Sequence, residues 1–334
     1  MTIKTTFRST TVASPGAIGS LKLGNRLMLA PLQQNEGTID AMATDHHVEF
    51  YSSRAKGVGL VIVESTAVSA DGRLYSSDIG IFTDAHVEPL RKVVEAVHRE
   101  GTPVFVQLSH GGRKSWPDVT SRLAAPSALA YDSHYGMPEP LMKEELKRLL
   151  VDFREAARRS LEAGFDGIEL HAAHGYLLHQ FLSPLSNRRS DMYGGPLENR
   201  VRFIGEVLDA IREEVGPRYP VQLRVSASDF AEGGLAPAEV AQAAALLESR
   251  LDAVHVSAGG LLPVQPLASQ PGYQVPYAAA IKQHIRIPVI AVGKIHTESL
   301  ANFVLGDGLA DFIALGSPMM EDADFAEKLL AGRG

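Results

Sequence analysis

The chain has 334 residues, 45% of them hydrophobic and 21% charged, with a formal net charge of −7. That composition supports a large buried core, and the acidic balance argues against nucleic acid, whose phosphates require a basic face. The absence of cysteine excludes disulfides, thiolate metal sites, iron–sulfur clusters bound by this chain and thiol nucleophiles.

No apolar run reaches membrane-spanning length. Residues 1–14 are polar and Thr-rich, without the apolar stretch of a secretory signal, so a cytoplasmic location is expected. The first strand is expected at 27–30. It runs into Pro31-Leu32-Gln33-Gln34-Asn35 and not into a Gly-rich dinucleotide fingerprint. A second strand at 60–63 ends on Glu64 and Ser65. Residues 87–100 carry Leu90, Val93, Val94 and Val97 at the spacing of an amphipathic helix. The third strand, 104–108, leads through Gln107, Ser109 and His110 into a long excursion, about 109–140, that holds Trp116, Tyr131, His134 and Tyr135. A helix at 143–163 precedes the fourth strand, 167–170, which carries Glu169 and is followed by His171, His174 and Tyr176. After a helix at 197–215, the fifth strand, 221–225, contains Arg224 and leads to Ser226, Ser228 and Asp229. A helix at 236–250 and a sixth strand at 253–256 follow, with His255 and Ser257. The seventh strand, 288–292, ends in Gly293-Lys294. After a helix at 299–305, the eighth, 311–315, ends in Gly316-Ser317. Gly101, Gly164 and Gly306 follow helices, where a left-handed cap suits glycine.

The strands read as near-continuous apolar runs, the pattern of parallel strands buried on both faces. Eight such strands alternating with helices indicate an α/β fold, and eight is the number that closes a (β/α)8 TIM barrel. One domain spanning 1–334 is therefore expected. Periodicity alone leaves a doubly wound sheet open.

In a barrel, chemistry sits at the C-terminal ends of the strands, and polar residues follow nearly every apolar run here. His171 and His174 could share a metal, but no nearby carboxylate completes a zinc set and no HExxH pattern is present, so no metal is expected. Their other use is to aim two N–H donors at one developing oxyanion. Gly293-Lys294 and Gly316-Ser317 stand where barrels bind phosphate through backbone N–H groups. An ordinary glycine turn with a solvated Lys294 is the equally simple reading.

Several long segments resemble the old yellow enzyme family, in its branch of short single-domain bacterial ene-reductases. They are Leu23-Gly24-Asn25-Arg26 with Ala30-Pro31, the run Gln107-Leu108-Ser109-His110-Gly111-Gly112-Arg113-Lys114, and His171-Ala172-Ala173-His174-Gly175-Tyr176-Leu177 continuing into Phe181-Leu182-Ser183-Pro184-Leu185-Ser186-Asn187-Arg188. Asp191-Met192-Tyr193-Gly194-Gly195-Pro196-Leu197-Glu198-Asn199-Arg200 and Leu223-Arg224-Val225-Ser226 complete the set. The resemblance extends over about 23–326.

It implies bound FMN and NADPH or NADH as hydride donor. By the same resemblance, Gln107 meets the pyrimidine edge of the flavin, and Arg224 stabilises the charge that collects there on reduction. Ala30, Pro31, Leu32, Gln33 and Ser65 line the N5 side, and Gly293, Lys294, Gly316 and Ser317 hold the phosphate. An α,β-unsaturated carbonyl or nitro compound then binds through His171 and His174. Hydride reaches its β-carbon from N5 and Tyr176 protonates the α-carbon. Asn35 would line the substrate site.

Three positions depart from the family pattern. Gln33 replaces a Cys or Thr that tunes the flavin potential, Asn35 replaces a Tyr, and Ser317 replaces an Arg, which predicts weaker FMN retention. A homo-oligomer is expected by resemblance, with Arg333 a candidate for reaching a neighbouring subunit's site. Two other readings compete: a flavin-free barrel lyase using Lys294 as a Schiff-base amine, and a non-catalytic barrel that has lost its flavin.

Overall fold

The computed structural model describes residues 9–120, 122–266 and 270–332. Arg333 lies outside the described residues. The eight expected strands are present: β1 (Leu27–Leu29), β2 (Leu60–Ala67), β3 (Val104–Ser109), β4 (Gly167–Ala172), β5 (Val221–Ser226), β6 (Ala253–Ser257), β7 (Val289–Ala291) and β8 (Phe312–Leu315). Each pairs in parallel with its neighbours, and β1 pairs with both β2 and β8, so the sheet closes on itself. This settles the barrel against the doubly wound alternative.

Of the ten α-helices among the described residues, eight alternate with the strands around the barrel, α1 (Asp45–Ala55), α2 (Val87–Arg99), α3 (Lys143–Ala163), α4 (Leu197–Val215), α5 (Pro237–Leu247), α6 (Val275–Lys282), α7 (Glu298–Gly306) and α8 (Phe325–Leu330), and two short ones, Leu177–Leu182 and Ser317–Glu321, lie in the turns after β4 and β8. The sequence pattern misses α1, α6 and α8. In α1 the buried face is His47, Phe50, Tyr51 and Ala55, and a histidine masks the apolar stripe. In α6, Val-Pro-Tyr-Ala-Ala-Ala-Ile-Lys is apolar nearly all round, so no period shows. The expected helix at 236–250 ends earlier, with a 3-10 turn over Glu248–Arg250. Gly306 is the last residue of α7 and not a left-handed cap. A β-carbon there would meet the Ser9 hydroxyl, which would have to turn away.

The strands are also less uniformly apolar than expected. Apolar side chains such as Val104, Val106 and Leu108 of β3, or Ile168 and Leu170 of β4, face the helices in the larger core. The inward-pointing set begins apolar: Met28, Leu60, Ile62, Phe105, Ala253, Ile290 and Phe312 pack together with Ile18 and Leu23. Those last two come from the antiparallel hairpin of Gly16–Ile18 and Leu21–Leu23, which precedes β1. One layer further along the strands, the inward residues turn polar, as Gln107, Glu169, Gln222, Arg224 and His255, all buried. Side chains alternate sides along a strand, so the same alternation builds a packed barrel interior and a polar floor above it.

β2 alone breaks this parity. Its register with β3 shifts between Val63 and Ser65, leaving Glu64 as an extra residue. The bulge turns Glu64 outward to the Tyr51 hydroxyl of α1, 2.9 Å away, and turns Ser65 inward to Gln107.

Candidate active site

The polar floor is one connected network. The Ser65 hydroxyl donates to Gln107 Oε1 at 2.8 Å, and Gln107 Nε2 donates to Glu169 Oε1 at 2.7 Å. Glu169 Oε2 accepts from Gln222 Nε2 at 2.7 Å and lies 2.8 Å from His255 Nδ1. A carboxylate only accepts, so Glu169 fixes which end of the Gln107 amide faces it. Burial alone would raise the Glu169 carboxyl, but His255 and Arg224 outweigh it and hold it down to about 2. Register places Arg224 beside both His171 and His255. Arg224 is buried, and its Nε has no hydrogen-bond partner.

Above this floor stand His171, His174 and Tyr176, at the end of β4 and the turn beyond it. The His171 ring packs edge-on against His174 and Tyr176, with centroids 5.2 and 5.0 Å away. The Ala173 N–H donates to His171 Nδ1 at 3.2 Å, which puts the ring's proton on Nε2. His174 Nε2 lies 2.8 Å from the Ser257 hydroxyl; when that hydroxyl donates, the His174 proton sits on Nδ1. Each neutral ring then keeps one N–H to offer. Burial, followed by the Arg224 charge, drives both imidazoles well below their usual range, so both stay neutral. Burial, then Tyr75, pushes the Tyr176 phenol well up, so it keeps its proton.

The loop after β1 forms one wall. The Ala30 N–H donates to the Leu315 carbonyl at 3.0 Å, and Leu32 approaches Gly316. Gln33 Nε2 is buried without a partner. Asn35 is exposed, holds a left-handed φ of 57°, and its side chain makes no hydrogen bond among the described residues. The loop is anchored from behind: the Gln34 N–H donates to Glu64 Oε2 at 3.0 Å. Sequence reasoning noted Glu64 only as a strand end, because its partner Tyr51 lies on a helix the pattern did not show.

Gly293, Lys294, Gly316 and Ser317 do converge. They line a cavity of about 330 Å³ together with Arg224, Ser257, Tyr273, Gln274 and His296. Lys294 adopts a left-handed φ of 54° there. Gln274 Oε1 is buried without a partner. Tyr273 and Gln274 come from the segment before α6 and carried no signal in the sequence. The expected excursion after β3 holds a 3-10 turn at Gly112–Lys114 and an aromatic group. In that group Trp116 packs on Tyr75, His134 and Tyr135 at centroid distances of 5.5, 5.4 and 6.5 Å. Among the described residues, no group of three or more His, Cys, Asp or Glu could hold a metal ion, and no helix is long and apolar enough to cross a membrane.

These features fit FMN. Arg224, Gln33 and Gln274 each bury a polar atom without a partner, and Arg224 and Gln274 line the cavity formed by the glycine-bearing ends of β7 and β8.

Comparison with known proteins gives the same answer. The sequence pattern of the NADH:flavin oxidoreductase / NADH oxidase family matches residues 12–334. The NADPH dehydrogenase of Clostridium acetobutylicum is 40% identical over 310 residues, which is 92% of this chain and 91% of that one. Morphinone reductase superposes with a TM-score of 0.86 at 32% identity, over 99% of this chain and 92% of its own. 2-Naphthoyl-CoA reductase superposes with a TM-score of 0.93 at 27% identity over 97% of this chain, which spans about half (52%) of that longer one.

Proposed function

We propose that this chain, which belongs to the NADH:flavin oxidoreductase / NADH oxidase family and is a flavin-dependent NAD(P)H oxidoreductase, reduces the C=C bond of α,β-unsaturated carbonyl or nitro compounds. The observation that carries the reading is the triplet His171, His174 and Tyr176: two neutral imidazoles and one protonated phenol packed together beside Arg224.

In the balanced reaction the nicotinamide donor loses a hydride and becomes NAD(P)+. The alkene gains a hydride at its β-carbon and a proton at its α-carbon. FMN bound here would supply the two-electron chemistry that links the nicotinamide donor to the alkene. Gln107, Ser65, Arg224 and residues 30–33 would hold its ring system, and Gly293, Lys294, Gly316 and Ser317 its phosphate. His171 and His174 bind the substrate's carbonyl or nitro oxygen through one N–H each. They stabilise the negative charge that grows on that oxygen. Because the rings are neutral, they act as donors and do not surrender a full proton. Tyr176 supplies the proton to the α-carbon. Arg224 offsets negative charge building over the floor, where Glu169 already carries one.

The test is spectroscopic. The FMN-loaded protein should bleach anaerobically with NADPH and recolour when cyclohexenone is added. A protein that bleaches but is not recoloured by an enone, an enal, a maleimide or a nitroalkene would overturn the reading.

A further inference from the structure

Lys114 has no role in the reaction outlined above, yet its side chain joins three loops of the barrel mouth. It ends the 3-10 turn after β3 and reaches across to the loops that follow β4 and β6. Its Nζ donates to the His174 carbonyl at 2.8 Å and to the Gly260 carbonyl at 3.1 Å. The same ammonium sits 4.6 Å from the Tyr131 ring centroid and 4.9 Å from that of Tyr176.

The two loops it joins touch backbone to backbone. A β-carbon on Gly175 would collide with the Gly260 carbonyl, and one on Gly260 would collide with the His174 backbone. Both carbonyls accept from the one ammonium, so Lys114 ties the two loops together at this contact. His174 itself has a left-handed φ of 58°, a conformation non-glycine residues seldom adopt unless their surroundings enforce it. Its other polar groups are also held: the N–H by Ser226 at 2.9 Å and the imidazole by Ser257 at 2.8 Å.

We propose that Lys114 is a positioning residue of the oxyanion site: by clamping the His174 and Gly260 carbonyls it holds His174 in the left-handed turn from which the imidazole meets Ser257 and offers its remaining N–H. This rests on the ene-reductase reading for its effect on rate, but not for its effect on His174.

The charge matters as well as the clamp. The titratable or charged groups around Lys114 are Arg113, Tyr131, Asp132, His171, His174 and Tyr176. Burial, then Arg113, lowers the ammonium to about 8, against the pull of Asp132. Its positive charge in turn disfavours imidazolium at His171 and His174. A neutral amine keeps two N–H groups, so raising the pH through 8 removes the charge and leaves the clamp in place. Around Lys114 the two tyrosines are raised and the two histidines lowered; Glu64, behind the loop after β1, is also raised to about 8 by burial, so loss of the transition in Lys114→Met is what assigns it to Lys114.

The experiment combines histidine-labelled NMR of the FMN-loaded protein with steady-state kinetics. The His174 signal, assigned through a His174→Gln variant, should move in the wild type with an apparent pKa near 8. Lys114→Met should shift that signal and abolish its movement. It should also lower kcat with saturating cyclohexenone at least tenfold, with a smaller change in KM. Lys114→Arg should recover most of the rate. A folded Lys114→Met protein with the wild-type His174 signal would overturn the proposal. If Lys114→Met fails to fold, a folded Lys114→Leu protein with the wild-type His174 signal would overturn it. Wild-type enzyme inactive on every activated alkene would sink the ene-reductase reading and leave the NMR result to decide the clamp.

Discussion

At the scale of single residues, the proposed reaction separates proton donation, by Tyr176, from oxyanion binding, by His171 and His174. Tyr176 keeps its proton because burial opposes the phenolate. Tyr176→Phe should therefore lower kcat with an enone by about 10²-fold or more, the usual size of a general-acid contribution, while leaving NADPH-driven bleaching intact. Stopped-flow measurement of the two half-reactions separates these, and equal losses in both would count against the assignment. Ser317 gives a second prediction. It lines the cavity at the end of β8, but it has no charge to offer a phosphate. Ser317→Arg should tighten FMN binding by about tenfold, the equivalent of about 1.4 kcal/mol. Fluorescence titration of flavin-free protein measures it, and unchanged affinity would mean that the positive groups already present suffice.

At the scale of elements, the β2 bulge does the most for the site. One extra residue sends Glu64 out to α1 and Ser65 in to Gln107. Glu64 then accepts from the Gln34 N–H and from the Tyr51 hydroxyl, which ties the loop after β1 to the helix behind it. Glu64→Leu would strand the buried Tyr51 hydroxyl and the part-buried Gln34 N–H. At about 1–3 kcal/mol for each of the two unsatisfied groups, the variant should lose about 2–6 kcal/mol of stability to urea. A loss below about 1 kcal/mol would mean the loop is held by something else. The bulge was not legible in the sequence, because Val-Glu-Ser-Thr after an apolar run reads as the end of a strand. Only pairing with β3 shows that the strand continues to Ala67. The aromatic excursion after β3 was legible, because its length and its Trp and Tyr content do not suit a short connection.

At the scale of the whole molecule, the barrel encloses a buried charged centre. Glu169 is held down to about 2 by His255 and Arg224 against the cost of burial. A carboxyl depressed in the folded state contributes stability that is present above its unfolded value and lost as pH falls through the folded one. Between about pH 5 and pH 2, the wild type should lose this contribution and Glu169→Gln should not. Urea midpoints for the two proteins should thus differ most near neutrality and converge on acidification; a constant difference would show that Glu169 is not the linked group. The sequence by itself determined the eight strands, their order, five of the helices between them and the family. Those depend on local hydrophobic periodicity and on contiguous motifs such as His171-Ala-Ala-His174-Gly-Tyr176. Tertiary structure alone decided that the sheet closes, through the pairing of β1 with both β2 and β8. It also decided which side chains meet. Gln107, Glu169, Gln222 and His255 lie on four different strands, and Lys114 reaches His174 across 60 positions of chain. Hydrogen bonds between residues so distant leave no trace in local pattern, because what they require is position in space and not spacing in sequence.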